Sequence, residues 1–487
     1  MRNGDPDRHP RAARASAGSP RADRPGAGGP GPRSRALLAR LARVENPGVT
    51  AIGPRFPVVW ERAHGTRVWD ADGNEYLDLT AAFGVAAVGH AHPRVTAAIA
   101  RQAVLLPHAM GDVHPARLKV ELLERLAALA PGDLNVTHLG LSGSDALEAA
   151  LKTAVLATGR SGVLAFAGAY HGLSYGALPL AGTEYFRTPF AAQLARHVHH
   201  APFAGPGSAE FSSIESILAA GGIGAVVIEP VQGRGGVRPA PPDLLPALAT
   251  LCRRHGVLLI IDEIMTGLGR TGRWFAVEDE TVVPDILLVG KALGGGLPLS
   301  AAIGSEGVMA SWRGAAGSGG GIAPAHGGRI ATAHGGGTPA GPALHTATFL
   351  GHPLAAAAAL AVLDVIAEED LVARAALHGR TLREGLAAAL AADAGVAAVR
   401  GRGLMIGVEL RDPQTGAPDG ARAAGVMVEL CARGVLVLTA GAAGEVIELT
   451  PPLIITAVEI ERAIAALAAA LAAVPAGGQD AGWSKRP

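Results

Sequence analysis

Four places in this 487-residue chain put reactive side chains at the end of a short apolar run. Leu141-Ser142-Gly143-Ser144-Asp145 follows the run Thr137–Leu141 and opens a stretch with Leu147, Leu151 and Val155 at helical spacing. A small-residue turn into a helix start offers backbone N–H groups and the positive dipole end to a phosphate, although the same sequence also serves as an ordinary N-cap. Tyr170-His171-Gly172 lies just beyond Val163–Phe166, where a flat ring either stacks on a planar ligand or fills core. Asp262 closes Val257–Ile261 and is followed by Glu263. A carboxylate at the mouth of a buried strand is desolvated and needs a positive or N–H partner, which a protonated pyridine nitrogen would supply. Lys291 follows Ile286–Val289 and precedes Gly294-Gly295-Gly296. A partly desolvated amine loses its proton readily enough to form a Schiff base. The alternative, a surface lysine on a loop, does not explain three glycines, which suit close approach of backbone to a ligand.

An aspartate for a pyridinium nitrogen, a lysine for an aldehyde and a helix-start loop for a phosphate are the protein groups that pyridoxal phosphate requires. Positioning them takes a sheet. The runs Thr137–Leu141, Val163–Phe166, Ala225–Ile228, Val257–Ile261, Ile286–Val289 and Ala301–Ile303 read as strands covered on both faces. Helical spacing between them, as in Asp243–His255, gives the βαβ rhythm of an α/β fold with a mainly parallel sheet, whose ligands sit at the carboxyl ends of strands. Val58–Leu79 alternates like a hairpin around the turn Asp72-Gly73-Asn74. Near the C-terminus, strand-like Leu404–Leu410, Val435–Leu438 and Val446–Leu449 precede the helix-like Ala457–Val474, so both chain ends read as a smaller α+β unit.

Composition sets the bounds. Lys and Arg balance Asp and Glu to zero net charge, which gives no reason to expect nucleic acid or an anionic membrane as partner. Two cysteines, Cys252 and Cys431, are too few for a disulfide framework and fit a reducing compartment, and no apolar run approaches a membrane span or signal core. The expectation is a cytoplasmic protein. Residues 1–34, rich in Arg, Pro and Gly, read as a disordered leader, 35–90 as the N-terminal part of the small domain and 91–375 as a large domain. A flexible Gly-rich insert at 311–343 interrupts the large domain, 376–475 completes the small one and 476–487 is a disordered tail. His326, His334 and His345 lack ligand spacing and any companion Cys or carboxylate, so no metal site is expected.

Eight ordered blocks carry a resemblance: GNEYLDLTAAFGVAAVGHAHPRV, SGSDALEAALK, AYHG, IEPVQGRGG, IIDEIMTGLGRTG, KALGGGLP, HTATFLGHPLAAAAAL and VRGRGLMIGVEL. From about Val58 to Val474 the chain resembles the class III, fold type I, pyridoxal-phosphate-dependent aminotransferases, the group of the acetylornithine, ornithine and 4-aminobutyrate enzymes. The resemblance implies that Lys291 bonds the cofactor and then shuttles the proton, while Asp262 holds the pyridinium. It implies that Ile264 and Tyr170 cover the two ring faces, that Gly143 and Ser144 bind phosphate, and that His171 belongs to the cofactor site. Glu229 and Gln232 would line the phenolic edge and substrate side, with Phe83, Arg234 and Arg400 toward substrate and Arg400 pairing a carboxylate. Thr348 would reach the phosphate of a neighbouring subunit, making a homodimer. The implied reaction is a ping-pong transfer from an amino acid or ω-amine to a 2-oxo acid, 2-oxoglutarate or pyruvate. A 1,2-aminomutase, decarboxylase or racemase is the alternative, and a non-catalytic cofactor-binding protein is the remaining one. Three departures stand out: Arg234 where relatives carry a second Glu able to neutralise the carboxylate-binding Arg, Met265 after Asp-Glu-Ile, and His352 where Asn is usual. The expected consequence is that the Glu–Arg switch between two substrate types is absent.

Overall fold

The apolar runs assemble into one seven-stranded sheet. Its order is Leu134–Gly140, Ser300–Ser305, Ile286–Val289, Leu258–Asp262, Ile223–Ile228, Gly162–Phe166 and Val198–Ala201. Ser300–Ser305 is antiparallel to both neighbours and every other pair is parallel. This is a computed structural model, and it describes residues 31–50, 58–315 and 343–476.

Alternation along each strand divides the core. Val163, Ala165, Ala225, Val227, Ile260, Ile286 and Leu288 pack on one face against Ala146, Leu147, Ala149 and Ala150 of the helix Gly143–Thr158. Leu164, Phe166, Val226, Ile228, Leu259, Ile261, Leu287 and Val289 pack on the other, against helices Arg117–Leu129, Leu244–His255 and Pro353–Glu368. Both faces are dry, which is why the central strands are continuously apolar.

The parallel register aligns the carboxyl ends. Asp262 pairs with Leu288, so Lys291 emerges one turn beyond the same edge, beside the residues that follow Gly140, Phe166 and Ile228.

Segments from the two halves of the chain pair at Val435–Leu436 and Leu77–Asp78, and the strand boundaries differ from the expected runs. Val58–Leu79 is a three-stranded meander, Trp60–His64, Arg67–Asp70 and Glu75–Asp78, because Gly65, at φ 59°, makes a first turn before the expected one. The second turn is closed by Asp70, whose carboxylate accepts from Asp72 N at 3.0 Å and Asn74 N at 2.8 Å. Val435–Leu438 breaks at Val437: Val435–Leu436 runs parallel to Leu77–Asp78, and Leu438–Ala440 joins a second antiparallel sheet with Val446–Leu449, Met405–Leu410 and Val396–Arg402. The strand Val396–Arg402 escaped the sequence reading because its exposure follows no clean alternation.

Two expected boundaries also move. Pro32–Val44 is helical, and Asp72 accepts from Arg33 N and Ser34 N at 2.8 Å each, so this helix starts inside the expected leader. Ser311–Ala315 is helical too, with Trp312 Nε1 donating to Thr153 Oγ1 at 2.9 Å. The remaining leader 1–30, the insert 316–342 and the tail 477–487 lie outside the described residues. Among the described residues no helix is long and apolar enough to cross a membrane.

Candidate active site

A cavity of about 430 Å³ opens at the carboxyl edge of the sheet, and Gly143, Ser144, Tyr170, His171, Glu229, Asp262, Ile264 and Lys291 all line it. Eight residues expected from sequence are therefore brought together.

The turn at Ser142–Ser144 is braced on several sides. Ser142 Oγ accepts from Asp145 N at 3.2 Å, Ser300 Oγ donates to Ser142 O at 2.6 Å, and Asp145 Oδ2 accepts from Leu141 N at 2.8 Å. Asp145 Oδ1 is held by His345 Nε2 at 2.9 Å, a carboxylate companion for His345 that the sequence did not reveal. Two glycines keep the cradle open: a Cβ on Gly143 would sit 2.8 Å from Ile264 Cδ1, and one on Gly172 would sit 1.9 Å from Ser144 Oγ at a φ of +116°. Gly172→Ala is accordingly expected to displace Ser144 and weaken phosphate-dependent cofactor retention by about tenfold or more, read from the dissociation constant of pyridoxal phosphate by fluorescence.

Lys291 itself has φ +44°, a left-handed conformation costing a non-glycine residue about 1 kcal/mol or more. Gly290 enters in an extended conformation and Leu293 N closes the turn on Gly290 O at 3.0 Å. Burial lowers the pKa of the amine; Asp262, Glu229 and Glu448 oppose that, and Arg234 adds to it. The result favours a neutral, nucleophilic amine.

Asp262 is buried, with Oδ2 2.7 Å from His171 Nδ1 and Oδ1 accepting from Ile264 N at 3.0 Å. Burial works against charge on His171, but the Asp262 hydrogen bond and the Asp262 and Glu229 charges outweigh it and raise its pKa. Each Asp262 oxygen keeps a second lone pair for an incoming N–H. Glu229 accepts from Tyr170 N at 2.9 Å and Gly233 N at 3.2 Å, and burial pushes its carboxyl up to about 7.

Glu263 points away from this cavity. It accepts from Val277 N at 2.8 Å and from the Thr266 hydroxyl, and burial pushes it up to about 7. Folding thus tightens its grip on a proton relative to the ordinary 4.5, so its contribution is fullest below about pH 4.5 and is lost as pH rises through about 7. Glu263→Gln keeps an acceptor for Val277 and donates to Thr266 instead. It is expected to stabilise the protein at pH 8 relative to wild type and to have little effect at pH 5, measured as thermal midpoints.

The other expected residues lie elsewhere. Gln232 is buried behind the wall, donating to Ala167 O at 2.9 Å. Phe83 is 60% exposed within the left-handed run Ala81–Gly84, where a Cβ on Gly84 would sit 3.7 Å from Lys291 Cδ. Thr348 is exposed. Arg234 is exposed and donates to Thr439 O at 3.1 Å. Arg400 is not open toward the lysine: it donates to Gly236 O at 2.7 Å and Val237 O at 3.1 Å and is paired with Glu409. It borders a second cavity of about 710 Å³ with Glu409 and Arg238. The next strand, Met405–Leu410, brings Glu409 to Arg400, a pairing invisible without the register. The reading also missed Glu448, which in Val-Ile-Glu-Leu looks like the solvent side of a strand yet is buried. Among the described residues no group of three or more His, Cys, Asp or Glu could hold a metal ion.

A mainly parallel sheet that directs an enclosed amine, a paired carboxylate and a helix start into one cavity defines a pyridoxal-phosphate enzyme of fold type I. The residues fit that cofactor: the glycine cradle suits its phosphate, Asp262 its ring nitrogen, and His171 Nε2 is buried without a partner among the described residues. The family model described as aminotransferase class-III matches residues 50–471, and the chain belongs to that family. It is similar to the acetylornithine aminotransferase of Methanopyrus kandleri, 38% identical, with 86% of this chain and 95% of that protein covered. It is 35% identical to an isoleucine 2-epimerase of Lentilactobacillus buchneri over 87% and 91% of the two chains. An amine transaminase from an uncultivated Pseudomonas species, solved with pyridoxal phosphate bound, superposes with a TM-score of 0.77 at 31% identity, covering 89% and 99%. The protein is a pyridoxal-phosphate-dependent class III aminotransferase, which uses an amino donor and a 2-oxo acid.

Proposed function

We propose that the protein moves an amino group from an amino acid or ω-amine to 2-oxoglutarate or pyruvate in two half-reactions, with Lys291 as the proton carrier of both. The observation that carries this is the convergence of the Lys291 amine and the His171–Asp262 pair on one cavity. Bound pyridoxal phosphate supplies an aldehyde that bonds amines and a ring that takes up electrons. Asp262, positioned by His171 Nδ1 at 2.7 Å, would hold the ring nitrogen of the cofactor. Lys291 Nζ, an amine enclosed by protein, would bond the cofactor's aldehyde and would serve as the base that moves the substrate's proton. Gly143 and Ser144 would hold the phosphate through N–H groups at the helix start, and Tyr170 and Ile264 would flank the ring. Glu229 fixes Tyr170 through the backbone.

The working form in this reading is a cytoplasmic homodimer, in which exposed Thr348 of each subunit reaches the other's phosphate. Residues 91–375 would form the cofactor domain, with 35–90 and 376–475 as the smaller one, a division supported by the pairing of Val435 with Leu77. Both cysteines are free and buried, in keeping with a reducing compartment.

Steady-state kinetics of the holoenzyme test the reaction. Parallel double-reciprocal lines for donor and oxo acid, with no sustained turnover when the oxo acid is left out, are expected. Isomerisation or racemisation of an amino acid without any oxo acid would replace this reading by that of a mutase or epimerase, the reaction named for one of its relatives.

A further inference from the structure

The shape of the turn Ser142–Ser144 depends on Asp145. Asp145 N donates to Ser142 Oγ at 3.2 Å, Asp145 Oδ2 accepts from Leu141 N at 2.8 Å, and Leu141, Ser142, Gly143 and Ser144 all line the lysine cavity. One residue therefore ties the chain entering the turn to the helix leaving it. The packing leaves no slack, since a Cβ on Gly140 would sit 2.6 Å from Ser300 Oγ and 3.0 Å from Asp145 Oδ2.

The other oxygen of that carboxylate is held from a distant part of the chain. His345 Nε2 lies 2.9 Å from Asp145 Oδ1, across 200 residues of sequence, and Oδ1 has no other hydrogen-bond partner among the described residues. Oδ1 accepts, which assigns a hydrogen to Nε2. His345 is itself fixed. Its side chain is 9% exposed, and its ring meets the ring of His138 edge-on at 4.9 Å, while His138 stacks on Trp312. The residues on either side are pinned as well: Leu344 O accepts from Lys152 Nζ at 3.2 Å, and Thr346 Oγ1 donates to Asp112 Oδ2 at 2.9 Å.

We propose that His345 is a positioning residue for the cofactor's phosphate: by holding Asp145 Oδ1 it keeps Oδ2 on Leu141 N and so fixes the turn in the form whose N–H groups receive the phosphate. This rests on the reading that Gly143 and Ser144 hold that phosphate. A carboxylate engaged through both oxygens has one orientation, and hydrogen bonds to a carboxylate are among the strong ones. With Oδ1 released, the side chain is free to rotate, Leu141 N loses its acceptor, and the turn has to be ordered afresh whenever phosphate binds, at a cost in affinity.

Pyridoxal, which lacks the phosphate, separates a brace on this turn from a general contribution to the fold. The full chain is freed of cofactor, and dissociation constants for pyridoxal phosphate and for pyridoxal are read by fluorescence. His345→Ala is expected to weaken binding of pyridoxal phosphate by about tenfold or more and of pyridoxal by less than about threefold. His345→Gln, whose amide places an N–H where Nε2 stood, should stay within about threefold of wild type for both compounds. His345→Asn, too short to reach Oδ1, should behave as His345→Ala does. Unchanged affinity for pyridoxal phosphate in His345→Ala, an equal loss for both compounds, or a loss in His345→Gln as large as in His345→Ala would overturn the proposal. If His345→Ala does not fold, the comparison of His345→Asn with His345→Gln decides in the same way. A wild-type protein that binds pyridoxal as tightly as pyridoxal phosphate would sink the reading of the turn itself, whereas a wild-type preference for the phosphate that His345→Ala retains in full would sink only this inference.

Discussion

Lys291→Ala is expected to lower turnover by about 10³- to 10⁴-fold or more, because in the proposed mechanism one nitrogen both bonds the cofactor and carries the proton. The fold should survive. The turn is closed by the Leu293 N to Gly290 O bond at 3.0 Å rather than by the side chain. Affinity for pyridoxal phosphate should fall only modestly, since the proposed grip on the phosphate is the Ser142–Ser144 turn. Chemical rescue by a small amine such as methylamine would restore part of the rate, which separates loss of the proton carrier from loss of structure. Full activity in Lys291→Ala would remove this residue from the mechanism.

Asp262→Asn is expected to cut turnover by about 10²- to 10³-fold with the phosphate anchor intact. An amide does not hold a proton on the ring nitrogen as a carboxylate does. The same change removes the partner of a fully buried histidine and should cost about 1–3 kcal/mol of stability. The pH dependence has a definite sign. His171 has its pKa raised in the folded protein, so the pair's contribution is fully present below the ordinary histidine value of about 6.5 and is lost as pH rises through the raised value. The stability gap between wild type and Asp262→Asn should therefore be widest below about pH 6.5 and shrink as pH rises above it.

The strand-end residues were legible because a parallel sheet leaves little freedom: a dry strand ends where its first polar group appears, and Asp262 and Lys291 are those groups. Residues of the second antiparallel sheet were harder to read. Arg400 is defined by its neighbour, and its cross-strand encounter with Glu409 depends on a register that alternation within Val396–Arg402 does not disclose. Glu448 was passed over because an acidic residue in a short C-terminal strand reads as a solvent-facing position, whereas packing buries it. Helix boundaries failed at low-complexity joins. Ser311–Ala315 is helical, with Trp312 meeting Thr153 on the neighbouring helix, a tertiary contact that composition does not encode. The left-handed conformations at Lys291 and at Ala81–Gly84 were equally hidden, since nothing in an alanine or lysine announces a positive φ.

Borohydride reduction of the holoenzyme, followed by peptide mass mapping, tests the central claim most directly, because it fixes the cofactor to whichever nitrogen it is bonded to. Loss of the visible cofactor absorbance is expected, with a single reduced pyridoxyl-phosphate adduct on the peptide carrying Lys291 that is absent from Lys291→Ala. An adduct on another lysine, or no adduct after incubation with excess pyridoxal phosphate, would contradict it.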